Sequence, residues 1–370
     1  MHSPRLQNRG FAVWGALVLL AMGSSVGWGQ TSKPATGSAA GAEKSPWTAL
    51  PNSALPAKNA AGDKLATLSA GVIVAVGVDA GNGDVYVILN KSGGIWKSTD
   101  QGETFKECGH LQVEHPVYYP ASVCVDPAGK GVAFFVQYGE GCLTTDSGKT
   151  WNVFKPDAAM AKKSFHFGVV TWEAPTKTIL AMAHEDQGKL LLSLDGGTTW
   201  TVAAKGFPDI GPIGIFDEKT FVARKWPSEL QRTTDQGATW KKVADLAGMK
   251  VGQVVNVYKG VGYLMTDKGL MVSKDKGATW DFQGSAVNAS IGPYIVDENH
   301  IAAIGPEGCY ETLDAGKTWT MVCPLSKGDN YPLFKSYAYD PVHDVFYYAQ
   351  GQKAMKCAVK STTAPAGNDK

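Results

Sequence analysis

Hydrophobic residues in this chain occur in short runs that alternate with polar or small residues and end at turn-forming sequences. The first unit contains such runs at residues 71–78, 84–89 and 94–97, and a later unit repeats the plan at 167–172 and 178–183. A period of two is typical of half-buried β-strands. No stretch longer than about ten residues has helical periodicity, although one helical turn fits at 157–165. The pattern predicts an all-β chain.

A motif of the form Ser/Thr-x-Asp-x-Gly-x-Thr-Trp/Phe recurs along the chain, and we call each copy a repeat turn. The copies occupy residues 98–105, 144–151, 193–200, 233–240, 273–280 and 312–319. Their aspartates are Asp100, Asp146, Asp195, Asp235, Asp275 and Asp314. Their separations of 39–49 residues fit the period of about 40–45 residues that a four-stranded propeller blade requires.

Each residue type in the motif has a local role. The aspartate can accept hydrogen bonds from backbone amides two or three residues further on. The glycine supplies a positive φ, the two hydroxyl residues connect the arms, and the aromatic residue begins the next strand. A metal-binding or catalytic role is the alternative. Aspartates in six separate turns cannot converge on one ion, so we interpret them as structural.

The two ends of the chain together supply one more blade. Residues 336–340, 344–349 and 354–359 give three strands without a fourth, and residues 46–50 resemble an unpaired fourth strand. A single β-propeller of seven four-stranded blades is therefore expected over residues 46–360. In it, the N-terminal strand completes the last blade and removes an exposed sheet edge.

The repeat turns resemble the Asp-box, or BNR repeat, over residues 70–323. This motif is found in sialidases, xyloglucanase-type glycoside hydrolases, sortilin-like receptors and assembly factors similar to Ycf48. The resemblance implies a propeller whose Asp-boxes join the third and fourth strands at the rim, away from the central binding face. It implies no single activity, because the motif occurs in enzymes and in binding proteins.

The N-terminus has the layout of a secretory signal peptide. Arg5 and Arg9 precede the apolar run 11–22, and small residues permit cleavage after Gly27 or Gly29. The run is shorter than the roughly twenty residues that span a bilayer, although a signal anchor is the alternative. We expect a signal peptide at 1–29, a flexible leader at 30–45 and a disordered tail at 361–370. The protein is then exported to the periplasm or the exterior, with no integral membrane segment after cleavage.

Charge and cysteine content narrow the classes of partner. The 35 basic and 34 acidic residues nearly cancel, which does not favour nucleic acid. The six cysteines form no CxxC pair and have no zinc-finger spacing, so we expect neither a metal nor a cofactor. Cys309 and Cys323 lie on the two arms of one repeat turn, and we predict that they form a cross-strand disulfide. A monomer is expected.

The arginine content argues against one class of enzyme. Resemblance to sialidases would imply three arginines that hold the substrate carboxylate, and only Arg224 and Arg232 follow the predicted signal peptide. A glycoside hydrolase of another type needs only two suitably spaced carboxylates. The leading prediction is a binding or assembly module for a protein or a glycan, and a polysaccharide hydrolase is the alternative.

Side chains suited to binding concentrate on the connections expected at one end of the propeller. We predict that six of them line a shared funnel: His115, Tyr119, Glu140, His166, Glu185 and Trp226. In the binding interpretation, His115, Tyr119, His166 and Trp226 contact the ligand. In the hydrolase interpretation, Glu140 and Glu185 are the acid and base, with carboxyls about 5–9.5 Å apart.

Overall fold

A computed structural model of the chain describes most of the residues beyond the predicted leader. It covers residues 45–51, 54–55, 73–89, 94–111, 122–136, 139–157, 165–173, 177–184, 186–208, 211–325, 336–350 and 353–359. The predicted signal peptide, residues 30–44 of the predicted leader and the predicted tail lie outside these ranges. So do His115, Tyr119 and Glu185.

Short strands make up the regular structure. They are β1 (Thr48–Ala49), β2 (Ile73–Val78), β3 (Val85–Leu89), β4 (Gly94–Ser98), β5 (Lys106–His110), β6 (Ser122–Val125), β7 (Val132–Phe135), β8 (Gly141–Thr144), β9 (Asn152–Phe154), β10 (Phe165–Val170), β11 (Ile179–Ala183), β12 (Leu190–Ser193), β13 (Thr201–Ala204), β14 (Ile213–Ile215), β15 (Phe221–Lys225), β16 (Glu229–Thr233), β17 (Lys241–Asp245), β18 (Asn256–Tyr258), β19 (Val261–Thr266), β20 (Gly269–Ser273), β21 (Asp281–Gln283), β22 (Ile291–Ile295), β23 (Ile301–Ile304), β24 (Gly308–Thr312), β25 (Thr320–Pro324), β26 (Ser336–Asp340), β27 (Val345–Gln350) and β28 (Lys353–Ala358). Within the described ranges, no helix has the length and apolar character needed to cross a membrane.

The strands form seven antiparallel sheets of four strands each, arranged as the blades of a propeller. Blades 1 to 6 take consecutive strands: β2–β5, β6–β9, β10–β13, β14–β17, β18–β21 and β22–β25. Blade 7 has the order β26, β27, β28, β1 from first to fourth strand. The first strands of neighbouring blades contact one another around the centre, as β26 does with β2 and β2 with β6. The predicted seven-bladed fold is confirmed.

The ring closes as predicted, through the N-terminal strand. Thr48 of β1 is opposite Lys356 of β28, and Ala49 is opposite Met355. The buried Trp47 precedes this strand, and its Nε1 donates to the carbonyl oxygen of Pro324 in blade 6 at 2.9 Å. The closing strand therefore also joins blade 7 to its neighbour.

Aromatic side chains fill the space between blades. Phe135, Phe154, Phe165 and Trp200, which come from blades 2 and 3, pack with ring centroids 5.4–5.8 Å apart, the separation at which aromatic pairs are favourable. Gly168 on β10 makes room for them, since a Cβ at this position would overlap the Phe135 ring. The absence of a side chain at Gly168 thus lets blade 3 approach blade 2 closely.

The prediction of a disulfide between Cys309 and Cys323 is wrong, because Cys323 has a different partner. Cys309 and Cys323 are opposite each other on β24 and β25, but Cys323 bonds to Cys357 of β28, with Cα atoms 6.4 Å apart. Cys309 and Cys323 both belong to the buried cluster between blades 6 and 7, and Cys357 of the neighbouring blade is in the same cluster. Cys309 remains a buried thiol, and burial raises its pKa well above the ordinary value.

Candidate binding channel

The antiparallel blades divide the connections of the propeller between two ends. Connections from a fourth strand to the next first strand, and from a second to a third strand, lie at one end, which we call the top. Connections from first to second strands and from third to fourth strands lie at the other end, the bottom. The repeat turns join third to fourth strands in blades 1 to 6, so they belong to the bottom.

The repeat turns use their aspartates entirely within the turn, as the third copy illustrates. Asp195 Oδ1 accepts from Ser193 Oγ and from the Thr199 amide, both at 2.8 Å, and Oδ2 accepts from Thr199 Oγ1 at 2.6 Å. The amide is four residues on, one residue beyond the two or three that the sequence predicted. The same bonds recur in the other five copies. Bonds from Thr199 and Ser193 lower the pKa of Asp195 to about 2.

The motif glycine has a positive φ in each of the six turns, between 75° and 97°. Its amide donates to the first hydroxyl of the motif, for example Gly197 N to Ser193 Oγ at 2.8 Å. This is the left-handed conformation that the sequence assigned to the glycine.

A second series of aspartates, which the sequence analysis missed, closes the turns after first strands. They are Asp79, Asp126, Asp217, Asp297 and Asp340, and each accepts a bond from the amide two residues on at 2.7–3.0 Å. The sequence feature that could have revealed this series is an aspartate at the end of a short apolar run. Both series therefore stabilise turns at the bottom end.

The first strands surround a cavity of about 870 Å³ at the centre of the ring. Its lining runs from the top connections, with Gly211 and Met249, to the bottom turns, with Ala80, Pro127 and Pro341. Most of the lining is apolar. A cavity of this size falls in the range of about 300–1,000 Å³ that small-molecule sites occupy, and it extends along the channel between the two ends.

Several neutral polar side chains of the channel connect one first strand to the next. Ser122 Oγ accepts from the Gly168 amide at 3.1 Å, and Ser336 Oγ accepts from the Val76 amide at 2.9 Å. Asn256 Nδ2 donates to the carbonyl oxygen of Pro293 at 2.8 Å. These groups link neighbouring blades, so their hydrogen-bonding capacity is already used within the protein.

Two basic residues line the top mouth of the channel, Arg224 and Lys250. Arg224 is the penultimate residue of β15. Its Nη2 donates to the Pro227 carbonyl at 3.1 Å, while its Nε is buried without a hydrogen-bond partner. Lys250 lies in the connection from β17 to β18 and is exposed. No carboxylate is among the described residues that line the channel. The described lining of the mouth is therefore positively charged.

The predicted site residues that the structure describes, two ligand-binding candidates and the acid/base candidate Glu140, all lie at the top. Glu140 is in the connection from β7 to β8, His166 is near the start of β10, and Trp226 is in the turn from β15 to β16. Trp226 is 69% exposed and is two residues from Arg224. None of these three is among the residues that line the cavity. Their role in binding stays a prediction, as does the spacing of Glu140 and Glu185.

His166 forms a pair with the buried His184, which follows β11. Their Nδ1 atoms are 2.8 Å apart, and the rings are nearly parallel, at 12°, with centroids 5.1 Å apart. The two Nδ1 atoms thus lie in line between the ring centres, which is the geometry of one imidazole donating to the other. Across the described ranges, no group of three or more His, Cys, Asp or Glu side chains could hold a metal ion.

A cluster of ionisable side chains lies at the bottom, between blades 6 and 7, and it was also missed. Tyr339 Oη is 3.0 Å from Asp344 Oδ1 and 3.4 Å from His300 Nε2, and Glu311 Oε1 is 3.7 Å from His300 Nε2. Burial, together with the neighbouring Glu311 carboxylate, raises the pKa of Asp344 to about 6. The nearby Glu311 raises the pKa of His300 as well.

Comparison with known proteins identifies the fold and a distant relative. No family model matches the chain. Ycf48 bound to a D1 peptide superposes with a TM-score of 0.50 at 15% identity, covering 88% of this chain and 99% of that one. The C-terminal WD40 domain of Sif2 gives 0.54 at 12% identity, covering 78% and 96%. At these identities the likeness concerns the fold alone.

One curated protein is similar in sequence. It is the dispase autolysis-inducing protein of Streptomyces mobaraensis, which is 27% identical over 176 residues, or 44% of each chain. The chain thus spans less than half the length of this relative.

Proposed function

We propose that the protein is an exported binding module of the Asp-box group, which holds a segment of a partner protein in its central channel. The observation that carries the proposal is the cavity of about 870 Å³, which has an apolar lining and a basic top mouth. Apolar walls with a few polar groups are typical of binding sites. The repeat turns support the Asp-box assignment through their shared sequence and shared hydrogen bonds.

The nature of the partner rests on the relatives. The streptomycete relative is named for inducing the autolysis of dispase, and Ycf48 has been solved with a D1 peptide. Both names describe action on, or binding of, a polypeptide. A protein ligand is therefore favoured over a glycan for this chain.

Two features support export. The N-terminal sequence has the layout of a signal peptide. The disulfide between Cys323 and Cys357 fits an oxidising compartment, where such bonds persist.

The proposal is tested by narrowing the channel mouth. Gln253 is exposed and lines the cavity, so Gln253→Trp should fill the mouth without disturbing the core. Lys241→Trp, at an exposed position of the outer strand β17, is the matched control. Wild type, both variants and a wild-type sample whose disulfide has been reduced are screened on a peptide array and a glycan array.

We expect wild type and the Lys241 variant to retain a common set of peptides that the Gln253 variant loses. Peptide binding that survives the Gln253 substitution would place the site outside the channel. Retention of glycans with no peptide bound would reject the protein-ligand proposal.

A further inference from the structure

We infer that the segment bound in the channel carries an acidic side chain at the top mouth, paired with Arg224 and Lys250, and apolar side chains below it. The inference rests on the proposed function and specifies the chemistry of the ligand. Some polar groups of the channel already have hydrogen-bond partners within the protein, and others do not.

Four neutral polar side chains of the channel are already engaged. Ser122, Ser336 and Asn256 bond to the first strand of the next blade, and Tyr339 bonds to Asp344. They therefore define the shape of the channel and have less capacity for a ligand.

Arg224 is held in position at the mouth but is not fully satisfied. Its side chain passes over Gly211, where a Cβ would come within 2.6 Å of the arginine Cδ, and Nη2 is anchored on Pro227. The buried Nε has no partner, and leaving a buried donor without an acceptor carries a free-energy cost. An acceptor on the ligand would remove that cost.

The other arginine in the described ranges shows the contrast. Arg232 lies on β16, and its Nε donates to the Lys276 carbonyl at 2.7 Å. Lys250 adds a second positive charge to the mouth. Asp267 accepts a bond from the Lys250 backbone amide at 3.1 Å.

A carboxylate is the ligand group that these features favour. A guanidinium matches a planar carboxylate through two parallel bonds, and no acidic side chain among the described lining residues competes for it. Below the mouth, Val123, Val125, Val251, Val254, Ile291 and Ile295 offer apolar contact. A segment with an acidic residue next to apolar residues matches both the basic mouth and the apolar wall below it. We assign the carboxylate to an Asp or Glu side chain, because the partner chain must continue outward from the mouth.

The test uses a random peptide library with acetylated N-termini and amidated C-termini, so that side chains supply every carboxylate. Wild type, the double variant Arg224→Gln/Lys250→Gln, the single variant Lys250→Gln and the control Arg232→Gln are used for selection. Thermal melting confirms that each variant is folded. The single variant keeps the test valid if the double variant unfolds, because Lys250 is exposed.

Wild type and the Arg232 control should enrich peptides with Asp or Glu beside apolar residues. The double variant should lose that acidic preference and bind the best peptide at least tenfold more weakly, with the single variant in between. Added salt should weaken binding of wild type more than that of the double variant, because salt screens the exposed part of the pair.

The outcomes separate the two proposals. If wild type enriches no peptide, or peptides that Gln253→Trp does not displace, the channel-binding function fails. If enrichment depends on the channel but has no acidic preference, or if the double variant keeps that preference, only the present inference fails. A preference that appears only in a free-acid library would assign the carboxylate to a chain terminus and overturn the assignment to a side chain.

Discussion

The aspartates of the repeat turns are exposed or half-buried, yet each accepts three hydrogen bonds, as Asp195 does. Asp195 has a folded-state pKa of about 2 against an ordinary value of 3.8. The unfolded chain binds the proton of this carboxyl more tightly than the folded chain does. The contribution of Asp195 to the free energy of unfolding is therefore fully present at pH values above the ordinary pKa. It is lost as the pH falls through about 2.

We expect Asp195→Asn to lower the melting temperature by a few degrees at neutral pH, since the amide nitrogen cannot accept from Thr199 Oγ1. The difference from wild type should shrink as the pH approaches 2, when Asp195 itself becomes protonated. Denaturant unfolding across this pH range measures the effect, with the exposed Asp281→Asn as control. A pH-independent difference would assign the loss to packing instead of ionisation.

Asp344 should behave in the opposite way. Burial and Glu311 raise its folded-state pKa from 3.8 to about 6, so the folded protein binds the proton more tightly and stability from this group falls as the pH rises from about 4 to 6. We expect Asp344→Asn to stabilise the protein at neutral pH and to have little effect at acidic pH. Asn keeps an acceptor for Tyr339 and tolerates the positive φ of 57° at this position.

The matched variant is Asp297→Asn. Hydrogen bonds from the amides of His300 and Asn299 lower the pKa of Asp297, so its substitution should destabilise the protein at neutral pH. Melting curves of both variants at neutral and acidic pH check the signs. Destabilisation by Asp344→Asn at neutral pH would contradict the expected direction.

Strand β1 is the element on which closure of the ring depends. Besides its two residue pairs with β28, it brings the buried Trp47 and Leu50 into the joints on either side of blade 7. Deleting residues 46–50 should lower the melting temperature markedly. Trp47→Ala alone should cost about 3–5 kcal/mol, as for other buried tryptophans. Thr48→Ala, at an exposed position, is the control, and an unchanged melt after the deletion would contradict the role of β1.

The disulfide joins blade 7 to blade 6 independently of β1. We expect peptide mapping without reduction to recover Cys323 linked to Cys357, and Cys309→Ala to leave that link intact. Cys357→Ala should lower the melting temperature, because the bond closes a loop across the joint. Recovery of Cys309 linked to Cys323 would contradict this pairing.

The elements themselves could be predicted from the sequence. Alternating runs and the repeat turns give the strands and the period, and the unmatched runs at 46–50 and 354–359 give the closure. The disulfide could not be predicted, because spacing places Cys309 opposite Cys323 on one hairpin but says nothing about which side chain faces the next blade. The cluster at Asp344 was hidden for the same reason, since its members come from two blades.

At the scale of the whole molecule, topology predicted which connections share an end but not which side chains enter the channel. Glu140, His166 and Trp226 are at the top as expected, whereas Arg224 and Lys250 reach the mouth from positions that have no motif. Arg224 does so because Gly211, thirteen residues earlier, leaves room for its side chain. Such contacts depend on three-dimensional packing and cannot be recognised from the spacing of residues along the sequence.

Closure through β1 also has a consequence for how the protein folds. Thr48 Oγ1 bonds to the Lys356 carbonyl across a separation of 308 residues, whereas the contacts inside blades 1 to 6 are local hairpins. Contacts between distant residues form slowly, because the intervening chain must first lose entropy. Individual blades can therefore form while the chain emerges from the translocon or ribosome, but the last blade must wait for the strands after residue 336. Amide hydrogen exchange during refolding should then show the amides of β28 acquiring protection after those of blades 2 to 5.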